Sequence, residues 1–199
     1  MLRVKVYENP EKIGDDDLRL MTSRLPHDCQ ARANRYKVRG AAVQSLIADS
    51  LLLDLVADAT GETMLPERTV AGSGGKPIFV NRPDLHFNKS HCPNAVVCAI
   101  SDAPVGVDVE AVPESLDMEL CRHCFSHDEI ADILADEMPT VRFAVLWTRK
   151  EALLKLEGVG LIDEMAAVAD IYPTERYVFA THISYVDRYV YTICTYKCQ

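Results

Sequence analysis

The sequence predicts an α/β fold of the α+β kind, in two halves that each run strand, long helix, then strands. Three observations carry this. Two stretches with helical spacing of apolar residues each lie between β-rich runs, and the chain closes on two such runs joined by a short turn. A break at Ser101-Asp102-Ala103-Pro104 separates the series into residues 1–104 and 105–199. A chain of 199 residues with 48% apolar composition is long enough to bury a sizeable core without staples.

RVKVY near the N-terminus is the first strand candidate. A polar stretch follows, ending in Arg24, Arg32, Arg35, Lys37 and Arg39 against the single Asp28. From Ala41 to Val56, Val43, Leu46, Ile47, Leu51 and Leu55 recur at three- and four-residue steps, which marks a helix that Thr60-Gly61 ends. GSGGKP at 72–77 reads as a flexible turn before the extended pieces PIFV, LHFN and NAVVCAI. In the second half, Ser126 and Glu129 form a capping box ahead of a short helix. Thr140 is the expected cap of a longer one running from Val141 to about Glu157, stopped by Gly158. YVFATHISY and RYVYTICTY read as an antiparallel hairpin. No convincing sequence repeat relates the halves.

The charge of −9, from 21 basic and 30 acidic residues, argues against general nucleic-acid binding, which needs a basic face. Charge is unevenly spread: residues 114–137 hold eight carboxylates and one Arg, so a small anion is better placed near the basic cluster. No apolar run approaches the ~20 residues of a membrane helix, and MLRVKVYENP lacks a signal-peptide core. Seven cysteines, an odd number in no disulfide framework, fit a reduced compartment. The expectation is a cytoplasmic protein.

GVDVE at 106–110 places Asp108 and Glu110 on one strand face, their Cα atoms ~6.6–7 Å apart. Spacing alone leaves open both an acidic exposed face and a site for a hard cation such as Mg²⁺. In WTRKEALLKLEGVG at 147–160, Thr148, Glu151 and Lys155 share a helix face. An ordinary surface ion pair and a third metal carboxylate with a phosphate-facing lysine both fit.

Other motifs yield less. Ser90 and His91 are adjacent on a strand, point to opposite faces, and so cannot form a nucleophile and base dyad with each other. GSGGKP has Pro77 and Val70 where a phosphate-binding loop needs a hydroxyl residue and a glycine. CRHCFSH at 121–127 lacks a second C-x-x-C pair for zinc. Trp147 reads as packing at the helix base.

Taken in order and at these separations, GKP, FNKSHC, GVDVE, FS followed by a Glu, and WTRKEALLK resemble the 4′-phosphopantetheinyl transferases of the larger, surfactin-synthetase-activating type, over residues 32–161. The resemblance implies a monomer of two similar halves related by pseudo-twofold symmetry, with coenzyme A between them. The implied reaction moves the phosphopantetheine arm to a serine of an acyl or peptidyl carrier protein and releases adenosine 3′,5′-bisphosphate. Asp108, Glu110 and Glu151 would hold Mg²⁺, with Glu151, directly or through a water, the first candidate for general base and a metal-bound hydroxide its competitor. Lys155 would contact the transferred phosphate. Ser90 and His91 would lie beside coenzyme A, His91 on its phosphates; Lys76 would reach the nucleotide, and Lys37 and Arg39, with Arg32 and Arg35 as further candidates, the 3′-phosphate. The sequence departs from the family pattern at Gln44-Ser45, where a basic residue precedes a small hydroxyl residue in relatives, and at Cys92, where Ser or Thr is commoner. A Mg²⁺-dependent pyrophosphate hydrolase and a silent binding module for coenzyme A or carrier proteins are the rival readings.

Overall fold

A computed structural model describes residues 1–71, 74–160 and 162–198, so Gly72 and Ser73 of the GSGGKP turn lie outside the described residues. The first half begins with β1 (Leu2–Glu8), the short helices α1 (Asp15–Thr22) and α2 (His27–Ala33), and the long α3 (Arg39–Thr60). It continues with β2 (Arg68–Ala71), β3 (Lys76–Phe79), β4 (His86–His91) and β5 (Ala95–Ser101). The second half has β6 (Val105–Ala111), α4 (Met118–Cys124), α5 (His127–Ala135), the long α6 (Pro139–Glu157), α7 (Val168–Ile171), β7 (Tyr177–Ser184) and β8 (Tyr189–Tyr196).

Two antiparallel three-stranded sheets result, ordered β1-β5-β4 and β6-β8-β7, with β2 and β3 forming a separate hairpin. Both sheets share one connectivity: the first strand of the half pairs with its last, and the last with the strand before it. A long helix is inserted between first strand and final pair in each half, so the similarity absent from the residue sequence is present in the topology.

Alternation along the central strands explains the layering. On β5, Val96, Cys98 and Ile100 join the cluster beneath α3, while Ala95, Val97 and Ala99 pack with Val105, Val107 and Val109 of β6. The two sheets therefore bury their inner faces against one another and their outer faces beneath α3 and α6. Each fully buried Val or Ile in these layers contributes roughly 1.5–3 kcal/mol relative to exposure.

Specific polar contacts also join the halves. Val107 N–H donates to the Asn88 carboxamide oxygen at 2.8 Å. Asn9 donates to the Asp187 carboxylate at 2.9 Å and Tyr189 to Glu8 at 2.7 Å, which pins the β7–β8 turn to the end of β1.

Several local expectations change. Thr140 does not cap α6, which starts one residue earlier at Pro139 behind Met138, without a side-chain cap. Proline suits a first helical turn because its missing N–H has no acceptor there. The polar stretch before α3 holds two helices, and the CRHC segment is itself helical, capped by Asp117, with Cys121 and Cys124 buried in the core. The apolar-run expectation also needs correction. α3 is long and apolar enough by composition to match a membrane span, and its apolar side chains form the core of the first half. The Ser126–Glu129 capping box and the glycine ends at Gly61 (φ 78°) and Gly158 (φ 72°) form as expected.

Candidate active site

The site begins with the alternation of β6. Val105, Val107 and Val109 face the first sheet, so Gly106, Asp108 and Glu110 face the other way, toward α6. A Cβ on Gly106 would overlap the Ala152 carbonyl and the Leu156 backbone; without one, β6 lies directly against the helix. The two strand carboxylates thus face a helix carrying a third, half-buried Glu151.

Asp108 is 2% exposed. Its Oδ1 accepts the Lys155 ammonium at 2.6 Å and the Ser90 hydroxyl at 2.9 Å, and Lys155 also donates to the Ser90 oxygen at 3.0 Å. Its Oδ2 is buried without a partner, a rare and costly condition for a charged oxygen. Burial, with Asp108 and Glu151 nearby, pushes the Glu110 carboxyl up to about 7, while Lys155 and the Trp147 indole oppose the rise. Burial, then Asp108, also raises Glu151, against the pull of Lys155. Three carboxylates face one half-buried ammonium, so the cluster is short of positive charge.

A divalent cation fits that shortage, and the orphaned Asp108 Oδ2 supplies an oxygen for it. As the side chains stand, no three metal-binding groups are gathered into a ready-made cage among the described residues. Lys155 holds one oxygen of Asp108, and in place of an exposed helix pair with Glu151 it bridges two strands.

The structure brings Ser90, Asp108, Glu110, Glu151 and Lys155 together and separates others. His91, on the opposite face of β4 from Ser90, is exposed. Lys76 turns into the seam, where its ammonium donates to the carbonyls of Val105 and Leu156 at 3.0 Å each, tying the β2–β3 hairpin to the second half. Lys37 and Arg39 are exposed at the start of α3, and Arg39 pairs with Asp15. Trp147 stacks on Phe143 with its edge near Phe125. Thr148 is buried and shares a hydrogen bond with Thr192, the ladder partner of Asp108.

Sequence reasoning named Arg32 but missed the cluster it joins. Beside His91 lies a cavity of about 390 Å³ lined by Arg32, Tyr36, Arg68 and Lys89. Beneath it Asp49 of α3, 0% exposed, accepts Lys89 at 2.5 Å, Arg68 at 2.7 Å and Arg32. Burial pushes the Asp49 carboxyl up, but Lys89 and Arg68 outweigh it and hold it at about 2. Asp28 lies 3.7 Å from Arg32 and 3.9 Å from Arg68, so three cations face two carboxylates and the wall stays net positive. The available signals were an aspartate on the apolar side of α3 and a lysine inside FNKSH.

A carboxylate cluster short of positive charge beside a cation-lined cavity defines a site suited to a phosphate-bearing substrate. Residues 104–194 match the 4′-phosphopantetheinyl transferase superfamily. The chain is 31% identical over 158 residues to the 4′-phosphopantetheinyl transferase Sfp of Bacillus subtilis (strain 168), covering 78% of this chain and 70% of that protein. It is 33% identical over 134 residues to the 4′-phosphopantetheinyl transferase psf-1 of Bacillus pumilus, 66% of this chain and 57% of the relative. The corresponding values for the 4′-phosphopantetheinyl transferase gsp of Aneurinibacillus migulanus are 33% over 166 residues, 81% and 66%. The chain belongs to the 4′-phosphopantetheinyl transferases, transferases that act on carrier proteins with coenzyme A as substrate.

Proposed function

We propose that this chain catalyses Mg²⁺-dependent transfer of the 4′-phosphopantetheine arm of coenzyme A to a serine of an acyl or peptidyl carrier protein, releasing adenosine 3′,5′-bisphosphate. The observation that carries the metal assignment is the buried, unpartnered Asp108 Oδ2 beside two carboxylates with raised proton affinity. Asp108, Glu110 and Glu151 would hold the ion. Bound there, Mg²⁺ supplies charge neutralisation across the two phosphates, whose repulsion otherwise hinders displacement at phosphorus.

The chain's own residues do the rest. The Lys155 ammonium, beside Ser90 and Asp108, binds the transferred phosphate and stabilises charge developing on it. His91 contacts the phosphates from the edge of the cationic cavity. Glu151 is the acceptor proposed for the serine proton, directly or through a water, on the strength of its place on α6 facing Asp108 and Glu110. Arg32, Arg68 and Lys89 seat the nucleotide end, with Lys37 and Arg39, exposed at the start of α3, as further candidates for the 3′-phosphate. On this reading nucleotide contacts come from residues 1–104 and metal carboxylates from 105–199, and the shared strand order of the halves supports a pseudo-twofold relation. The enzyme acts as a cytoplasmic monomer, without nucleic acid or membrane. At −9 it meets an acidic carrier through a local patch rather than by overall attraction.

Intact-mass measurement of a panel of apo carrier proteins, after incubation with coenzyme A and Mg²⁺, tests this. A gain equal to the arm on a serine of one carrier, lost in Glu151→Ala, is the expected result. Breakdown of coenzyme A at the same rate with no carrier present would reassign the site to a pyrophosphate hydrolase.

A further inference from the structure

Behind the carboxylates runs a chain of hydroxyls. Thr148 of α6 and Thr192 of β8 are both 0% exposed, and their oxygens lie 2.8 Å apart. The Thr192 oxygen is also 3.0 Å from that of Thr181 on β7, which accepts the Arg149 guanidinium at 3.3 Å. At the other end Thr148 donates to the Val145 carbonyl at 3.1 Å. A hydroxyl has one proton, a guanidinium only donates and a carbonyl only accepts, so the two ends settle every direction between them. Thr148 spends its proton on Val145; Thr192 therefore donates to Thr148, and Thr181 to Thr192.

Thr192 is also the residue directly opposite Asp108 in the β6–β8 ladder, so the two side chains share the face toward α6. Opposed Cβ atoms in an antiparallel pair lie ~4.5–5.5 Å apart, within reach of a hydroxyl and a carboxylate. Thr192 nevertheless leaves Asp108 alone: Oδ1 takes Lys155 and Ser90, and Oδ2 is buried without a partner. Resting on the reading of the carboxylate cluster as a Mg²⁺ site, we propose that Thr148 is a positioning residue for that site, drawing the Thr192 proton onto α6 and away from Asp108 Oδ2, which stays open to the ion. The β-branched Thr192 has a stiff χ1, so its oxygen remains where Thr148 and Thr181 hold it. Without Thr148, the released proton turns to the unpartnered carboxylate oxygen, a stronger acceptor than a neutral hydroxyl. A cation must then break that bond before it can bind.

Calorimetric titration with Mg²⁺ in the absence of coenzyme A tests this, with thermal melting of the metal-free proteins reporting the fold. Thr148→Val removes the acceptor with little change of volume and is expected to weaken Mg²⁺ binding about tenfold. Thr148→Cys, a poor acceptor of similar shape, is an independent second variant expected to lose about threefold. Thr148→Ser keeps the oxygen and should stay within about twofold of the unsubstituted protein. The deciding protein is Thr148→Val combined with Thr192→Val, which removes acceptor and proton together and is expected to recover to within about twofold. If the threonines only hold α6 against β8, the double variant binds no better than the single one. That result overturns the proposal, as does an unchanged affinity in both Thr148→Val and Thr148→Cys. Failure of the folded, unsubstituted chain to bind Mg²⁺ removes the metal reading itself along with this role.

Discussion

Gly106 of β6 lies so close to the Ala152 carbonyl of α6 that a side chain on the glycine has no room. This contact sets the distance from the strand that carries Asp108 and Glu110 to the helix that carries Glu151. Gly106→Ala should destabilise the protein by roughly 1–3 kcal/mol, because backbone on both sides must move. Since the displacement parts the carboxylates, Mg²⁺-dependent activity should fall further than the folded fraction does. Urea unfolding alongside activity at saturating coenzyme A separates the two effects. An Ala variant with normal stability and turnover would show that the close approach is dispensable.

The raised carboxyls give stability a sign with pH. Glu110 moves from 4.5 to about 7, and Glu151 also moves up. Between these values the folded chain binds more protons than the unfolded one, so without metal the contribution of this pair falls as pH rises from about 4.5 to 7. Cation binding needs the ionised forms. Thermal melts should therefore show Mg²⁺ protecting strongly at pH 7.5 and weakly at pH 5.5, with both effects reduced in Asp108→Asn. Equal protection at the two pH values would contradict the carboxylate assignment.

How far the site could be read from sequence depended on whether its residues lie within single elements. GVDVE and WTRKEALLK each place their groups on one strand or helix, so periodicity alone assigns the shared faces. The reason Gly106 is a glycine lies in an element about 46 residues away and has no local signal. Arg32, Asp49, Arg68 and Lys89 come from four different elements, and their meeting follows only from how α2, α3, β2 and β4 pack. Asp15, Asp16 and Asp17 in the first turn of α1 did carry a readable signal, acidic residues at a helix N-terminus, followed by Leu18 and Met21 at helical spacing on its core side. Thr140 shows the converse, a residue of capping type one position inside a helix that begins on proline.

Lys76 should hold the halves together at a cost that depends on pH. Burial lowers its ammonium from 10.5 to about 8, partly opposed by Glu157. The penalty is complete below about pH 8, where both states are charged. Stability from this group therefore rises with pH between about 8 and 10.5, where the unfolded chain alone remains protonated. Lys76→Met removes this term but orphans the carbonyls of Val105 and Leu156. The unfolding free energy of the unsubstituted protein minus that of the variant should accordingly rise from pH 8 to 10, since the other titrating groups are common to both. A constant difference would mean that the amine is as hydrated in the folded chain as in the unfolded one.

Asp49 organises the cationic cavity as a counter-charge beneath three cations. Asp49→Asn leaves Arg68 and Lys89 facing a neutral amide in a buried setting, and should cost about 3 kcal/mol, the low end for a broken buried pair because Arg32 and Lys89 keep some water. With its carboxyl held at about 2 against an ordinary 3.8, Asp49 contributes stability above pH 4 that is lost as pH falls toward 2. Acid unfolding of the Asn variant should lack that part of the transition. Adenosine 3′,5′-bisphosphate discriminates between charge and placement. The substitution makes the cavity more positive yet releases its side chains, so weaker binding shows that the carboxylate positions the cations, and tighter binding shows that it only diminishes their field.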